Sequence, residues 1–413
     1  MNKFIIVTRL FSGLIDSVVN EEWKPTGIPA IYKLIEGCNK YNLKIDVVFI
    51  CKKEIESAEI PRIKRFVIKD KMVSKVNFHV IPYKVILTNK NINRLINSLL
   101  GYCYVLKLYK INRYKLLYCD RVNVVLGFLI IKCFRGKVFL RLLGFYPDMK
   151  NLFDNPRQKY RNPILFLAYK SKFSKIICTQ DDSGGLYYLK KYFKKRPYSL
   201  LLNGVDHQNS TKLQIEYYKN KLGITHECPI LLFVGKLEKQ KGCLTFLKVM
   251  NKLNSIGIDF YAIIVGSGSM LKQLEDYINN YDLGEKVKLV GPVDNADIFH
   301  YYNVSDIYIH LYIWASLTNT MLEALSAGNA IALISKLGEN HVGTYAEKII
   351  PQCIKFDRND VVNDLKTKLS EILPNKQKIE LLKKSSNLIA KRTLSTWDKR
   401  IDKEIYLITR YLN

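Results

Sequence analysis

The 413-residue sequence predicts an α/β fold with two doubly wound domains. Short, continuous apolar runs alternate with longer segments whose apolar residues recur at helical spacing. Runs without polar alternation are typical of parallel strands that helices cover on both faces. This alternation occurs twice along the chain, and the length exceeds that of one ordinary domain.

The predicted strands form two series. The first comprises residues 4–7, 47–50, 116–118, 138–140 and 176–178, and the second comprises 230–234, 261–265, 287–290, 307–309 and 330–333. Helical spacing is clear between strands, as in Phe246, Val249, Met250 and Leu253, and in Ile92, Leu95, Ile96 and Leu99. We expect ligands at the carboxyl ends of the strands, in a cleft between the two domains.

The domain boundary is predicted near residues 198–206, where a short apolar run meets Asn203-Gly204. This divides the chain into domains at 1–200 and 201–385 and a helical segment at 386–413. The last segment has Ile401, Ile405 and Ile408 at helical spacing, so we expect its helix to pack on the N-terminal domain.

Positive charge is concentrated in the first half of the chain. Residues 1–200 carry 38 basic and 14 acidic side chains, a net charge of +24, whereas the remainder carries only +4. A coding bias towards Lys would affect both halves equally, so the asymmetry predicts a basic face for an anionic surface such as a membrane. The helix over 91–110 either lies in that interface or simply covers a sheet. Nucleic-acid binding is disfavoured because no recognition signature accompanies the charge.

Cysteine spacing and apolar runs indicate a reduced, cytoplasmic protein. The nine cysteines include no Cys-x-x-Cys pair, which disfavours a zinc site or a disulfide framework. The apolar run at 122–131 is too short to span a bilayer, and the run at 4–7 is too short for a signal peptide. We therefore expect membrane contact to be peripheral at most.

A glycine turn after the strand at 230–234 is a candidate phosphate site. Gly235 is followed by Lys236, then by Lys241 and Gly242 where a helix begins. A strand-to-helix junction offers free backbone N–H groups and a partial positive charge, and the two cations would neutralise a diphosphate. The alternative is a solvated Lys-rich turn.

Two further loops follow later strands in the same way. Gly266 and Gly268 form a Gly-x-Gly turn, which alone is a weak signal. Asn319 and Thr320 stand where a helix starts, and Glu323 lies one turn further on. A carboxylate there could accept hydrogen bonds from the vicinal hydroxyls of a ribose, although Thr320-x-x-Glu323 also fits a capping box.

The ordered set of these segments resembles the C-terminal half of family 4 retaining glycosyltransferases, which have the GT-B fold. The matching segments are Asn203-Gly204-Val205-Asp206, Phe233–Leu237 with Lys241-Gly242, Val265–Gly268, Leu289–Gly291, Tyr302–Asp306 and Leu322–Gly328. The resemblance extends from about Asn203 to Gly343, and Thr26-Gly27-Ile28 resembles the family's N-terminal glycine loop.

The resemblance implies a nucleotide-diphosphate-sugar co-substrate and no other cofactor, with transfer to a glycan or lipid-linked acceptor. No Asp-x-Asp stands in a plausible metal position, so we expect chemistry without a metal. Lys236 and Lys241 match the cations that hold the diphosphate, and Glu323 matches the ribose-binding glutamate. The remaining donor contacts implied are Gly235, Gly266, Gly268, Asn319, Thr320, Met321 and Leu322. Gly27 and Arg141 are the candidates on the acceptor side. Such an enzyme would assemble a cell-surface polysaccharide or lipopolysaccharide on the inner face of the cytoplasmic membrane.

Three departures from the family pattern keep alternatives open. Lys236 replaces an Arg, so the positive charge is kept but the paired hydrogen bonds that a guanidinium group forms to a phosphate are lost. Ala315 stands where the family has an acid that touches the donor sugar, and Leu143 stands where it often has a His. A nucleotide-sugar-binding protein with impaired catalysis therefore remains a candidate, as does a GT-B epimerase or phosphorylase.

Overall fold

The computed structural model describes residues 3–53, 56, 60–335 and 344–412, with the backbone alone at 90, 91 and 344. The end of the family resemblance, at 336–343, lies outside these residues. The chain divides into two compact units. The first contains Met1–Thr179, Gly185–Leu201 and Trp397–Asn413, and the second contains Gln180–Gly184 and Leu202–Thr396.

The first unit is built on a parallel sheet of the order β3-β4-β2-β1-β5-β6-β7-β8, in which only the β3–β4 pair is antiparallel among the described strands. The strands are β1 (Phe4–Arg9), β2 (Ile45–Ile50), β3 (Lys64–Phe66), β4 (Asn77–Ile81), β5 (Leu116–Asp120), β6 (Lys137–Leu142), β7 (Lys175–Thr179) and β8 (Tyr198–Leu201). The five strands predicted for this half are confirmed, whereas β3, β4 and β8 were not predicted.

Helices cover both faces of this sheet, which gives two apolar cores. They are α1 (Ser12–Val19), α2 (Pro29–Lys40), α3 (Lys90–Asn112), α4 (Val124–Phe134), α5 (Pro147–Asp154), α6 (Pro156–Arg161), α7 (Pro163–Tyr169) and α8 (Gly185–Tyr192).

The second unit has a parallel sheet of the order β11-β10-β9-β12-β13-β14. Its strands are β9 (Ile230–Val234), β10 (Tyr261–Val265), β11 (Val287–Gly291), β12 (Ile307–His310), β13 (Ala330–Ile334) and β14 (Ile354–Phe356). Its helices are α9 (Lys212–Lys221), α10 (Cys243–Ser255), α11 (Leu271–Asn280), α12 (Ile298–Val304), α13 (Asn319–Ser326), α14 (Thr344–Ile349), α15 (Val361–Ile372) and α16 (Lys376–Thr393). All five strands predicted for this half are confirmed, and the three-residue β14 was not predicted.

The last helix, α17 (Trp397–Leu412), belongs to the first unit and packs on α2. Ile401, Ile405 and Ile408 are buried in its core, which confirms the predicted packing of the C-terminal helix. Gly37 of α2 permits the close contact, since a Cβ there would lie 2.4 Å from Ile401 Cγ2.

Helix α3 presents an unexpected face to the sheet. The side chains it buries include Asn93, Asn97 and Val105, whereas Leu95 and Leu99 are exposed. The apolar stripe that the spacing identified therefore points largely away from the sheet. The helix approaches closely at Gly101, where a Cβ would lie 3.1 Å from Ile50 Cγ2.

A polar cluster lies inside the first unit. Arg400 forms a buried ion pair with Glu404, one turn further along α17, and Glu404 also accepts a hydrogen bond from Tyr118 of β5. Burial and the neighbouring Arg141 lower the pKa of Arg400 to about 9. Glu404 is thus the carboxylate that partners the buried guanidinium group of Arg400.

No helix among the described residues is long and apolar enough to cross a membrane.

Replacing Glu404 by Leu should lower the free energy of unfolding by about 3–5 kcal/mol, because it leaves the buried guanidinium group of Arg400 without its carboxylate. The double variant Arg400→Met/Glu404→Leu should recover much of that loss. Urea denaturation measures both, and Asp402→Ala, on the exposed side of α17, is the matched control. Equal losses in the Glu404 and Asp402 variants would contradict the role of the pair.

Candidate functional site

The loops after β9, β10 and β11 are joined by backbone hydrogen bonds at the carboxyl edge of the second sheet. Gly235 N donates to Val265 O at 3.0 Å, and Leu237 N donates to Ser267 O at 2.9 Å. Gly266 N donates in turn to the carbonyl of Gly291 at 2.8 Å. The three loops therefore form one continuous backbone layer at the edge where α/β sheets bind ligands.

The glycines of this layer are required by its packing. A Cβ at Gly266 would lie 1.9 Å from Gly235 O, and one at Gly268 would lie 2.4 Å from Leu237 O. Gly266 also has a φ of +141° and Gly235 a φ of +153°, a region that favours glycine. These three predicted donor-binding glycines thus shape the loops, and their contact with a donor stays a prediction.

Lys236 and Lys241 differ in environment although they share one loop. Lys236 is exposed, whereas Lys241 is partly buried at the end of a single 3₁₀ turn before α10. Its Nζ lies 3.4 Å from the centroid of the Tyr312 ring. Burial lowers the pKa of Lys241 to about 8, which the nearby Glu238 partly offsets. Gly242 has a φ of +82°, and a Cβ there would lie 2.5 Å from Leu311 Cβ.

The start of α13 offers free amide donors. Its N-cap is Thr318, whose Oγ1 accepts a hydrogen bond from Met321 N at 3.4 Å. The amides of Asn319 and Thr320 precede the first intrahelical bond, and no acceptor for them is present among the described residues. Together with the helix dipole, these amides can hold an anionic oxygen.

Glu323 does not form the capping box considered from the sequence, since the cap is Thr318. Its Oε2 accepts a hydrogen bond from Tyr302 at 2.9 Å. Desolvation raises the pKa of Glu323, and the Tyr302 hydroxyl opposes that shift. The side chain remains partly exposed, so its Oε1 is available to accept hydroxyl donors.

Neighbouring polar groups hold the start of α13 in place. Asn203 Nδ2 donates to Asn319 Oδ1 at 2.7 Å, and the Tyr308 hydroxyl donates to Thr320 Oγ1 at 2.9 Å. The buried Oδ1 of Asn203 and Oγ of Ser316 have no hydrogen-bond partner. Two polar atoms are thus left for a ligand, whereas the predicted contacts Met321 and Leu322 are buried in the core.

The sequence did not identify the tyrosines of this site. Tyr302, Tyr308 and Tyr312 support Glu323, Thr320 and Lys241 respectively. Tyr302 lies in a segment that carried the family resemblance, which was the one available signal. The other two follow no spacing rule, because their partners come from different loops.

Ala315 is buried, with its carbonyl 2.8 Å from Nε2 of His310. The following residues are anchored by the segment Gln180–Gly184, since Leu317 N donates to Asp181 O at 3.0 Å. The family's acidic position is therefore occupied by a packed methyl group, and its loop is fixed by backbone contacts.

The predicted acceptor-side residues lie in the first unit. Gly27 has a φ of +88° in the loop before α2, next to Gly13, where a Cβ would lie 2.0 Å from Thr26 O. Arg141 is completely buried and donates to Ile177 O and Thr179 Oγ1. We find no exposed guanidinium surface for direct acceptor contact at Arg141, and its visible role is to join neighbouring strands. Leu143 packs against the core.

One group of metal-ligand type lies elsewhere among the described residues. His226, Cys228 and Asp259 precede β9 and β10, at the amino edge of the sheet. Burial raises the pKa of the Cys228 thiol to about 11. Because the loop layer lies at the opposite, carboxyl edge of the sheet, this group is separate from it.

Residues 214–387 match the family profile described as glycosyl transferases group 1. An uncharacterised glycosyltransferase of Methanocaldococcus jannaschii is 26% identical over 182 residues, 42% of this chain and 44% of that protein. The alpha-monoglucosyldiacylglycerol synthase of Acholeplasma laidlawii is 25% identical over 124 residues, 28% of this chain and 29% of that protein. The chain thus aligns with less than half the length of either relative.

Solved structures match the whole chain. Sucrose-phosphate synthase from Thermosynechococcus elongatus superposes with a TM-score of 0.73 at 14% identity, covering 99% of both chains. Anabaena HepE in complex with UDP gives 0.69 at 14% identity, also covering 99% of both. WaaG, a glycosyltransferase involved in lipopolysaccharide biosynthesis, gives 0.64 at 13% identity, covering 98% of this chain and 99% of its own. The chain therefore has the GT-B fold, and its residues 214–387 are similar to the glycosyl transferases group 1 family.

Proposed function

We propose that the protein transfers a sugar from a nucleotide diphosphate to a glycan or lipid-linked acceptor on the inner face of the cytoplasmic membrane. The observation that carries the proposal is the start of α13, where two free amides, two unpartnered polar oxygens and Glu323 border one loop. Amides suit phosphate oxygens, and a carboxylate suits ribose hydroxyls, so the set fits both parts of a nucleotide diphosphate.

The chemistry follows from where charge develops. As the sugar–phosphate bond breaks, the sugar becomes oxocarbenium-like and the diphosphate gains negative charge. The amides of Asn319 and Thr320 would hold one side of that charge, and Lys236 and Lys241 the other. Because these cations supply positive charge, we propose transfer without a metal. Retention follows from the family resemblance, with the departing phosphate accepting the proton of the acceptor hydroxyl.

Three of the similar proteins guide the choice of substrates. HepE has been solved with UDP and UDP-glucose, which makes a uridine nucleotide the first donor to test. The names of WaaG and of the Acholeplasma synthase refer to lipopolysaccharide and to a glycosylated diacylglycerol. A lipid-linked acceptor also agrees with the net charge of +24 on residues 1–200.

An impaired binding protein is the second candidate, because Ala315 replaces the family's acid with a packed methyl group. Such a protein would bind the donor without turnover. An epimerase or phosphorylase would instead act without a sugar acceptor, so product formation with and without acceptor separates these classes.

Nucleotide diphosphates should raise the thermal unfolding midpoint. A ligand that binds only the folded state adds about 2.7 kcal/mol at about a hundred times its Kd. We expect a shift with at least one of UDP, GDP and ADP, and a smaller shift with the matching monophosphate, which leaves part of the site unfilled. A flat response to all of them would contradict a donor site.

Donor affinity should depend on pH through Lys241. Its pKa of about 8 means that the ammonium loses its proton as pH rises above that value, and only the protonated form attracts a diphosphate. UDP affinity of the wild type should weaken above pH 8 by up to about tenfold per pH unit. Lys241→Arg keeps its charge, so calorimetric titration should show a flatter profile.

The same role predicts a loss of turnover in Lys241→Ala. Removing one group that stabilises developing charge typically costs about a hundredfold or more in rate. Lys239→Ala is the matched control, since Lys239 is exposed on the same turn. Wild-type kcat/KM in Lys241→Ala would remove this lysine from the mechanism.

Glu323→Ala should weaken UDP binding about tenfold to a hundredfold, because a hydrogen-bonded charged group contributes about 1.5–3 kcal/mol. Pyrophosphate lacks a ribose, so its affinity should not change. Tyr302→Phe keeps the carboxylate and should have a smaller effect. If Glu323→Ala weakened UDP and pyrophosphate equally, the carboxylate would have no specific role at the ribose.

A further inference from the structure

Three consecutive apolar side chains are exposed where β4 leads into α3. Val85, Ile86 and Leu87 are 58%, 50% and 47% exposed. Ile92, Leu95, Leu99 and Leu100 extend the surface along α3, and each is 44–61% exposed. These seven residues are called the apolar ridge below. Exposed apolar patches of this kind mark surfaces that contact a protein or a membrane.

Two buried asparagines hold the first part of the ridge in place. Asn97 accepts a hydrogen bond from Lys84 N at 2.7 Å and donates to Lys84 O at 2.7 Å. Asn93 accepts from Ile86 N at 3.0 Å and from Leu87 N at 2.9 Å, and it donates to Leu87 O. Five backbone groups of this loop, the N–H and C=O of Lys84 and Leu87 and the N–H of Ile86, are therefore satisfied within the protein, while its apolar side chains are exposed.

This arrangement matches the requirement of a bilayer. Backbone polar groups that enter an apolar phase unsatisfied cost several kcal/mol each, and the Asn93 and Asn97 amides remove much of that cost. The same residues occupy the sheet side of α3, where apolar residues are usual. Packing alone does not explain a helix that buries asparagines and exposes leucines.

The charge around the ridge favours an anionic partner. The 49 residues between Asp70 and Asp120 contain nine Lys or Arg and no Asp or Glu. Lys84, Arg94, Lys107 and Lys110 are exposed among them. Exposed cations are attracted to an anionic bilayer, whereas the apolar centre of a protein interface is depleted of Lys. The charge therefore favours a bilayer over a protein as the partner.

The ridge adjoins the carboxyl edge of the first sheet. It directly follows β4, and Ser98, between Leu95 and Leu99, contacts Lys52 beyond the end of β2, with 3.3 Å between Oγ and Nζ. That edge is where an α/β sheet binds its ligand. A surface resting on a bilayer here would bring a lipid-linked substrate to the sheet.

We propose that the apolar ridge inserts into an anionic lipid bilayer and that the surrounding cations hold it there. As a route for a lipid-linked acceptor, this inference rests on the proposed sugar transfer, but the docking itself can be measured separately.

The direct test is vesicle sedimentation of Val85→Ser/Ile86→Ser/Leu87→Ser. We expect the full-length wild type to bind phosphatidylcholine vesicles that contain about a third phosphatidylglycerol. The variant should bind them with an affinity at least about tenfold lower, because affinity scales with buried apolar area. Leu213→Ser/Leu381→Ser/Leu388→Ser is the matched control, with exposures of 79%, 65% and 60% in the second unit. It should bind like the wild type.

A second measurement does not depend on the triple variant folding. The fluorescence of the tryptophan introduced in Ile86→Trp should be quenched by brominated phospholipids in anionic vesicles, whereas that of the tryptophan in Leu381→Trp should not. Equal quenching of the two, or equal vesicle binding by ridge and control variants, would overturn the proposal. A third outcome would also overturn the proposal. If the wild type were a dimer and the ridge variant a monomer with undiminished vesicle binding, a second copy of the chain would be what covers the ridge.

Vesicle docking and sugar transfer can fail independently. Vesicle binding without any stabilisation by nucleotides would leave the ridge assigned and refute the donor site. Stabilisation by UDP without vesicle binding would support the donor site and refute the docking of the ridge. The ridge variant should itself retain the wild-type response to nucleotides, because its residues lie in the other unit.

Discussion

Close backbone contact between the loops after β9 and β10 is the constraint on which the second unit's candidate site depends. The parallel register pairs Val234 with Val265, so both strands end at the same level and their loops meet at once. At Gly266 and Gly268 the neighbouring carbonyl oxygens occupy the space that a Cβ would need. A side chain at either position would separate the loops and displace the turn that carries Lys241. The glycines therefore determine how closely the two loops approach each other, and they affect a ligand only through the shape of those loops.

The sequence predicted the parts of the fold in which apolar residues are continuous. Every strand of the second unit except β14 was found, because buried parallel strands consist of unbroken apolar runs. Strand β4 was missed since Asn77 and His79 interrupt its run, although both are partnered inside the protein. The cap at Thr318 was likewise missed in favour of Thr320, because spacing alone does not distinguish two threonines two residues apart.

Buried polar residues were not predicted in two helices. Helix α3 was predicted either to lie in a membrane interface or to cover a sheet with its apolar stripe, whereas Asn93 and Asn97 lie inside and bind a loop backbone. Helix α17 combines its predicted isoleucines with Arg400 and Glu404 on the buried side. The asparagines of α3 are partnered by the loop that precedes the helix, whereas Arg400 is partnered by Glu404 of the same helix and Glu404 also by Tyr118 of β5. Helical periodicity contains no information on these partners, so the orientation of such a helix follows from the structure alone.

The protein holds its positive charge in two physically different ways. Around the apolar ridge the cations are exposed and numerous, which gives a long-range attraction that salt screens and that has little geometric selectivity. At the candidate donor site the cations are few, and Lys241 is partly desolvated against Tyr312, so its interaction with a phosphate is short-ranged and strong. A surface built in the first way suits a bilayer, which is extended and fluid. A site built in the second way suits a single diphosphate whose oxygens must meet fixed amides.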